Sequence, residues 1–355
     1  MRKHLRRDRE EHLESICEEM EIAQRTNKTK DLFQHMNRLT KQACPSVKLA
    51  QSASGDILTE DPEIMERWRD YCEQLYSTTD TRDNQSVTND GYGEPIPTLE
   101  EVEKALKSLK PGKAADPDEI PAELLKLGEE SVTVALHRII VITWRTGKWP
   151  TDWTLSTFVP IYKNGDPTVC ANYRTISPIS HASKVMLKVI LSRMRDKVEY
   201  EVAEEQAGFW PGRGTHNHLC NLRLITERAR ARRQLLYLCF IDFQKAFDTV
   251  SHKKLWNELR AMGYSPHLVA LIRSLYEDQK SNVCLANSRS EYFQVLRGVR
   301  QGCSLSPYLF NIMPEVLMHL ALEGFEGGFR IGGRLLTNLR YADDIVLLAS
   351  TNGEL

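Results

Sequence analysis

The chain has 355 residues, with 47 Lys and Arg against 48 Asp and Glu for a formal net charge of −1. At 41% apolar, 8% aromatic and 27% charged residues it reads as an ordinary globular protein with enough chain for a sizeable core, which excludes collagen-like, mucin-like and wholly disordered classes. Its charge balance carries no global signature for nucleic acid or membrane, so any basic surface is local.

The longest unbroken apolar stretch, residues 235–241, is far short of the roughly 20 residues that a spanning helix requires. Residues 1–7 run straight into charged sequence without the apolar core of a secretory signal. None of the 8 cysteines forms a Cys-x-x-Cys pair, the pattern of reduced thiols in an intracellular protein with no membrane partner.

In chain order, residues 5–42 have helical periodicity on a charged background, the pattern of solvated helices. A helix follows over 62–76, carrying Trp68 and Tyr71 toward a partner surface. Residues 77–98 are rich in turn formers and poor in apolar side chains, as a linker is. Thr98 and Glu101 form a capping-box pattern that opens a helix ending at Lys110, before Pro111-Gly112. Further helices are predicted from Pro121, from Val132 to Gly147, over 183–198 and over 218–233. Residues 155–162 read as a strand, which Pro160 assigns to a sheet edge.

From Leu235 the pattern becomes a short buried strand at 235–241, helices at 253–262 and 267–277, and a strand over 290–296. A helix at 306–322 and a two-stranded hairpin at 334–349 complete it. No internal repeat is present. The mixture predicts an α+β fold in which an antiparallel sheet is backed by helices on one face.

Three stretches carry chemistry. In Phe240-Ile-Asp-Phe-Gln-Lys-Ala-Phe-Asp248, an apolar strand delivers Asp242 at its end. There a carboxylate either caps the next turn or binds a cation, because burying it alone is costly. In Tyr341-Ala342-Asp343-Asp344, neighbouring strand residues face opposite ways, so two carboxylates share a site only at a turn or kink. A solvated hairpin tip is the bland alternative; the apolar flanks instead favour an anion pair needing a cation. In Gly298-Val-Arg-Gln-Gly-Cys-Ser-Leu-Ser-Pro307, two glycines and a helix start allow close approach of a ligand, or merely cap a helix.

In this order and spacing, these stretches resemble the palm motifs of non-LTR (LINE-type) retrotransposon reverse transcriptases. The resemblance extends upstream through Leu109-Lys-Pro-Gly-Lys-Ala-Ala-Asp-Pro-Asp118, Val159-Pro-Ile-Tyr-Lys-Asn-Gly-Asp166, Asn172-Tyr-Arg-Thr-Ile-Ser177 and Glu205-Gln-Ala-Gly-Phe209. It implies a helical N-terminal extension at 1–76, a linker at 77–97, fingers at 98–234 and a palm at 235–355, truncated before the thumb. The implied activity is RNA-directed DNA polymerisation on an RNA template and DNA primer with dNTPs, in the nucleus. The implied cofactor is a pair of Mg²⁺ ions, with Mn²⁺ as a substitute.

Carried over by position, Asp242 and Asp343 become the main metal ligands and Asp344 the third carboxylate. Lys163 and Arg174 hold the triphosphate, Phe247 lies under the incoming sugar, and Gln301 and Gly302 contact the nucleotide and the templating pair. Arg223, Arg228, Arg230, Arg232 and Arg233 are candidates for nucleic-acid phosphates, with a solvated helix face as the alternative. His216-x-His218-x-Cys220 lacks a second ligand pair and is rejected as a zinc site.

Thr175 stands where the family often has Pro, Trp210-Pro211 interrupts a normally basic stretch, and Pro314 falls inside a predicted helix. A catalytically silent nucleic-acid- or protein-binding fragment is therefore the competing expectation.

Overall fold

The computed structural model describes residues 47–78, 93–111, 118, 120–277, 279–286 and 288–355, together with 15, 18–26 and 28. Most of the helical stretch expected over 5–42, the middle of the 77–98 linker and residues 112–117 of the upstream motif lie outside the described residues. Among the described residues, no helix is long and apolar enough to cross a membrane.

Local sequence signals set most helix ends. The Thr98 hydroxyl accepts from the Glu101 amide at 3.2 Å and Glu101 accepts from the Thr98 amide at 2.7 Å, opening the Leu99–Lys107 helix. The same Glu101 carboxylate takes the Arg193 guanidinium at 2.9 Å, so one cap also ties this helix to His181–Glu201. Gly147, at φ +67°, ends the Glu129–Thr146 helix in the left-handed turn that favours glycine. The Ser306–Leu322 helix matches its predicted span and runs through the buried Pro314.

Two sheets organise the rest. The first has Tyr173–Ile176, Leu155–Tyr162, Lys280–Leu285 and Ser288–Arg289 in that order, with Phe293–Gln294 also on the Lys280–Leu285 strand. Its centre pairs parallel over Leu155 to Phe158 and antiparallel over Val159 to Tyr162. The edge-strand expectation for 155–162 is therefore corrected. The strand is internal, but its Pro160 half has a neighbour on one side only, where the missing donor is harmless.

Trp68 and Tyr76 of the Asp61–Tyr76 helix pack into this sheet with Phe158, Tyr173, Val283 and Phe293. The surface predicted to receive Trp68 is thus Tyr173, met edge-on with ring centroids 5.0 Å apart.

The second sheet is antiparallel, in the order Asn338–Tyr341, Asp344–Ala349, Tyr237–Asp242. Ile225 and Ala229 of the Thr215–Ala231 helix cover it against Leu339 and Leu348. Two expectations change here. The 235–241 strand starts later, at Tyr237, and lies on a sheet edge, and its Phe240 is 68% exposed. Residues 334–349 form not one hairpin but three strands, since Arg334–Leu336 turns back on Phe329–Ile331. In the first sheet, the strand expected over 290–296 shrinks to Phe293–Gln294.

Between the sheets, the Gly298–Pro307 loop is anchored from beneath. His252 donates through Nε2–H to the Gly298 carbonyl at 2.7 Å, with its ring edge-on to Tyr276. Burial pushes the His252 imidazole down to about 4. The unfolded chain therefore takes up a proton near pH 6.5 that the folded chain refuses, and stability falls between pH 6.5 and 4. Urea titrations of the wild type and His252→Gln at pH 7 and pH 4 are expected to show on the order of 3 kcal/mol more acid loss in the wild type. Equal acid sensitivity of the two proteins contradicts this.

Candidate active site

The acidic motif lies at a hairpin tip. Tyr341 and Asp344 are cross-strand partners, leaving Ala342 and Asp343 as a two-residue turn. Ala342 takes φ +57°, a strained value for a residue with a Cβ. The fully buried Gln206 holds it there. Gln206 Oε1 accepts from the Ala342 and Gly208 amides, each at 2.8 Å, while Nε2 donates to the Ala342 carbonyl at 3.3 Å. Main-chain bonds between Arg340 and residues 205 and 207 complete the clamp. A Cβ on Gly208 would come within 2.3 Å of the Ala342 nitrogen, so the Glu205–Phe209 motif needs glycine at that point.

Across the ladder, Asp344 is the direct partner of Asp242. Side chains in that relation start roughly 5 Å apart at Cβ. Burial, followed by the charges of Asp343 and Asp242, holds the Asp344 carboxyl above the usual carboxylate range, while Lys163 and Arg174 pull it back. Among the described residues, no group of three or more His, Cys, Asp or Glu side chains is placed so that it could hold a metal ion. The donor chemistry nonetheless fits a hard divalent cation. These are mutually repelling oxygen ligands at an open cavity, the arrangement Mg²⁺ takes when phosphate and water fill its remaining positions.

The cavity measures about 520 Å³, and its lining includes Asp242, Asp343, Lys163, Arg174, Phe247, Gln301 and Gly302. Asp344 stands beside that lining, opposite Asp242. Strand register aligns Arg174 with Ile161, two residues from Lys163 at the end of the neighbouring strand, so both cations reach the wall from one sheet. Phe247 stacks flat on Phe310, with centroids 4.2 Å apart and planes 9° apart, and meets Phe209 edge-on at 5.8 Å. Gly302, at φ +117°, lies where a Cβ would meet the Ser177 carbonyl at 2.8 Å.

Arg223, in the middle of the helix, and Arg228, Arg230, Arg232 and Arg233, at or just beyond its end, are exposed and do not line the cavity; Arg223 pairs with Glu227 at 2.8 Å. His218 Nε2 donates to the Arg340 carbonyl at 2.8 Å, so its visible role is in packing the sheet.

Two groups in this region had no role in the sequence reading beyond membership of a motif. Gln206 is one; no composition signal marks it, since a buried glutamine stands out only once its partners are known. The other is Asp248, with 0% exposure, which accepts from Gln301 Nε2 at 2.6 Å and from the Tyr76 hydroxyl at 2.7 Å.

The family profile described as reverse transcriptase (RNA-dependent DNA polymerase) matches residues 161–355, more than half of the chain. This chain belongs to the reverse transcriptase family. It is 29% identical over 257 residues to an RNA-directed DNA polymerase from mobile element jockey of Drosophila funebris, covering 72% of this chain and 27% of that protein. It is 28% identical over 251 residues to a retrovirus-related Pol polyprotein from the type-1 retrotransposable element R2 of Popillia japonica, covering 70% and 34%. The chain thus spans about a quarter to a third of the length of such curated relatives. An apo telomerase structure from Candida tropicalis aligns at a TM-score of 0.41 with 16% identity, over 58% of this chain and 45% of that one, too loosely to carry an argument. The jockey and R2 relatives are proteins of mobile elements, and the mixed α+β architecture agrees with the fold class expected from the sequence.

The raised Asp344 carboxyl has a stability consequence. Its folded form prefers the proton, so its contribution is favourable at low pH and is lost as pH rises through the folded pKa. In thermal melts without divalent cations, Asp344→Asn is expected to melt above the wild type at pH 7, with the gap closing near pH 3.5. Added Mg²⁺ is expected to raise the melting temperature of the wild type more than that of the variant. A variant less stable than the wild type at pH 7 contradicts the repulsion.

Proposed function

We propose that this chain is the nucleotide-adding core of a retrotransposon-type RNA-directed DNA polymerase, transferring deoxynucleotides to a primer 3′-hydroxyl. The observation that carries the reading is the pairing of Asp242 with Asp344 across one ladder, with Asp343 in the adjoining turn and on the same cavity as Asp242 and the predicted triphosphate and sugar contacts.

Asp242 and Asp343 hold divalent cations, with Asp344 as the third carboxylate. A pair of Mg²⁺ ions, or Mn²⁺ in their stead, stabilises the attacking and leaving oxygens when bound. Lys163 supplies a compact point charge and Arg174 a planar fork to the triphosphate, countering its charge at the mouth of the cavity. The Phe247 ring, held by Phe310, leaves no room for a 2′-hydroxyl and selects the deoxy sugar. Gln301 and Gly302 border the nucleotide and its templating pair. The exposed arginines from Arg223 to Arg233 meet template or primer phosphates without reading sequence. In this reading residues 98–234 are fingers and 235–355 palm, preceded by a helical extension at 1–76 and a linker at 77–97.

Primer extension on an RNA template with Mg²⁺ tests the reading. Asp343→Ala is expected to lower the rate roughly a thousandfold or more, the scale seen when preorganised charge stabilisation is removed. Extension that survives the substitution rejects the metal assignment. Absent extension by the wild type, together with RNA binding that weakens as salt rises, favours a silent binding module instead. Phe247→Ala is expected to raise ribonucleotide incorporation relative to deoxynucleotide by roughly ten- to a hundredfold, the range one lost steric contact supplies. Unchanged sugar discrimination rejects the gate.

A further inference from the structure

The Asp61–Tyr76 helix lies upstream of the segment that matches the family profile, yet it ends against the cavity wall. Its last carbonyls receive the chain that enters the Gly298–Pro307 loop: the Leu296 amide donates to the Tyr76 carbonyl at 3.0 Å and Arg297 Nε to the Leu75 carbonyl at 2.8 Å. Beyond them, the Tyr76 hydroxyl donates to Asp248 Oδ1 at 2.7 Å. Because its one proton is spent there, the 2.8 Å contact with Thr175 is donated by the threonine. The same Oδ1 takes Gln301 Nε2 at 2.6 Å.

One carboxylate oxygen therefore joins a helix outside the profile to the loop carrying Gln301, and the Tyr76 hydroxyl extends the link to the strand carrying Arg174. The main chain repeats the link, with the Ser177 amide donating to the Gln301 carbonyl at 2.8 Å. Asp248 is an expensive group to keep in this place. It is fully buried, and its Oδ2 has no hydrogen-bond partner among the described residues. Lys245 sits two bends away in the same turn, but it donates to the Tyr173 carbonyl rather than to the carboxylate. A buried carboxylate with half its acceptor capacity unused is not what packing alone selects. What it does is hold an amide that lines the cavity in one orientation.

We infer that Tyr76 and Asp248 are positioning residues for nucleotide binding. Tyr76 fixes Asp248, Asp248 fixes the Gln301 amide, and a helix preceding the polymerase motifs thereby sets affinity for the incoming nucleotide. The inference rests on the reading of the cavity as a nucleotide site.

Tyr76→Phe deletes the hydroxyl and keeps the ring, whose centroid lies 4.8 Å from that of Phe158. The full chain is loaded with an RNA template and a primer ending in a dideoxynucleotide, and the complementary dNTP is titrated calorimetrically in Mg²⁺. Tyr76→Phe is expected to weaken dNTP binding roughly tenfold, the size of a lost bond to a charged group. In steady-state extension the same change is expected in KM for dNTP, with kcat preserved at saturation. A purely structural role would instead lower the amount of competent protein and leave KM alone.

In a Gln301→Ala background, Tyr76→Phe is expected to have no further effect on dNTP affinity, because its route is gone. The inference is overturned if Gln301→Ala weakens binding while Tyr76→Phe does not, or if Tyr76→Phe acts equally in both backgrounds. Failure of the underlying reading has a different signature: Gln301→Ala binds dNTP as tightly as the wild type, or the wild-type complex binds none. Either result removes the inference as well.

Discussion

Asp242 and Asp344 face each other across an antiparallel ladder, two anions brought together by strand register. A slip of one residue would send one of them to the opposite side of the sheet, so the register of this short ladder decides whether the site exists. Its interior supplies the driving force: Ile345 and Leu348 are buried, and Leu339 and Leu348 pack under the Thr215–Ala231 helix. Apolar burial thus holds together what electrostatics pushes apart. The proposed cation site accounts for this pairing, because the repulsion is relieved only when positive charge arrives.

The turn that offers Asp343 obeys the same logic. Ala342 adopts a left-handed backbone that alanine disfavours, and Gln206 offsets the strain by bonding both main-chain groups of that residue from a segment far away in sequence. Gly208 lets that segment come close enough. The Glu205–Phe209 stretch therefore supports the Ala342–Asp343 turn through main-chain and buried amide hydrogen bonds. Phe310 stands in a comparable relation to Phe247, stacking flat on the ring proposed as the sugar gate.

Several readings from sequence hold because their signals are local. The Thr98–Glu101 box, Gly147 and the 306–322 helix start are matters of neighbouring residues, and the structure has them where the sequence put them. Readings failed where the deciding neighbour is remote. The apolar run at 235–241 looks buried, but no remote segment covers the sheet face at Phe240, which stays exposed. Pro160 suggests an edge, yet two strands meet the two halves of its strand on different sides. Residues 334–349 read as one hairpin only by passing over a local signal, because Gly332-Gly333, both at positive φ, is a two-residue turn that pairs 334–336 back onto 329–331.

From the sequence alone came the family and the proposed site residues, the three aspartates, Lys163, Arg174, Phe247 and the Gln301–Gly302 turn, because chemistry that needs particular side chains in particular order leaves a linear trace. What only the tertiary structure decided is how those groups are held: Gln206 on the acidic turn, Phe310 beneath Phe247, and Tyr76 reaching Asp248 across 172 positions. Such supports are single buried hydrogen bonds and ring contacts between distant segments. They have no spacing or periodicity to read, and their identity emerges only when the fold brings donor and acceptor within bonding distance.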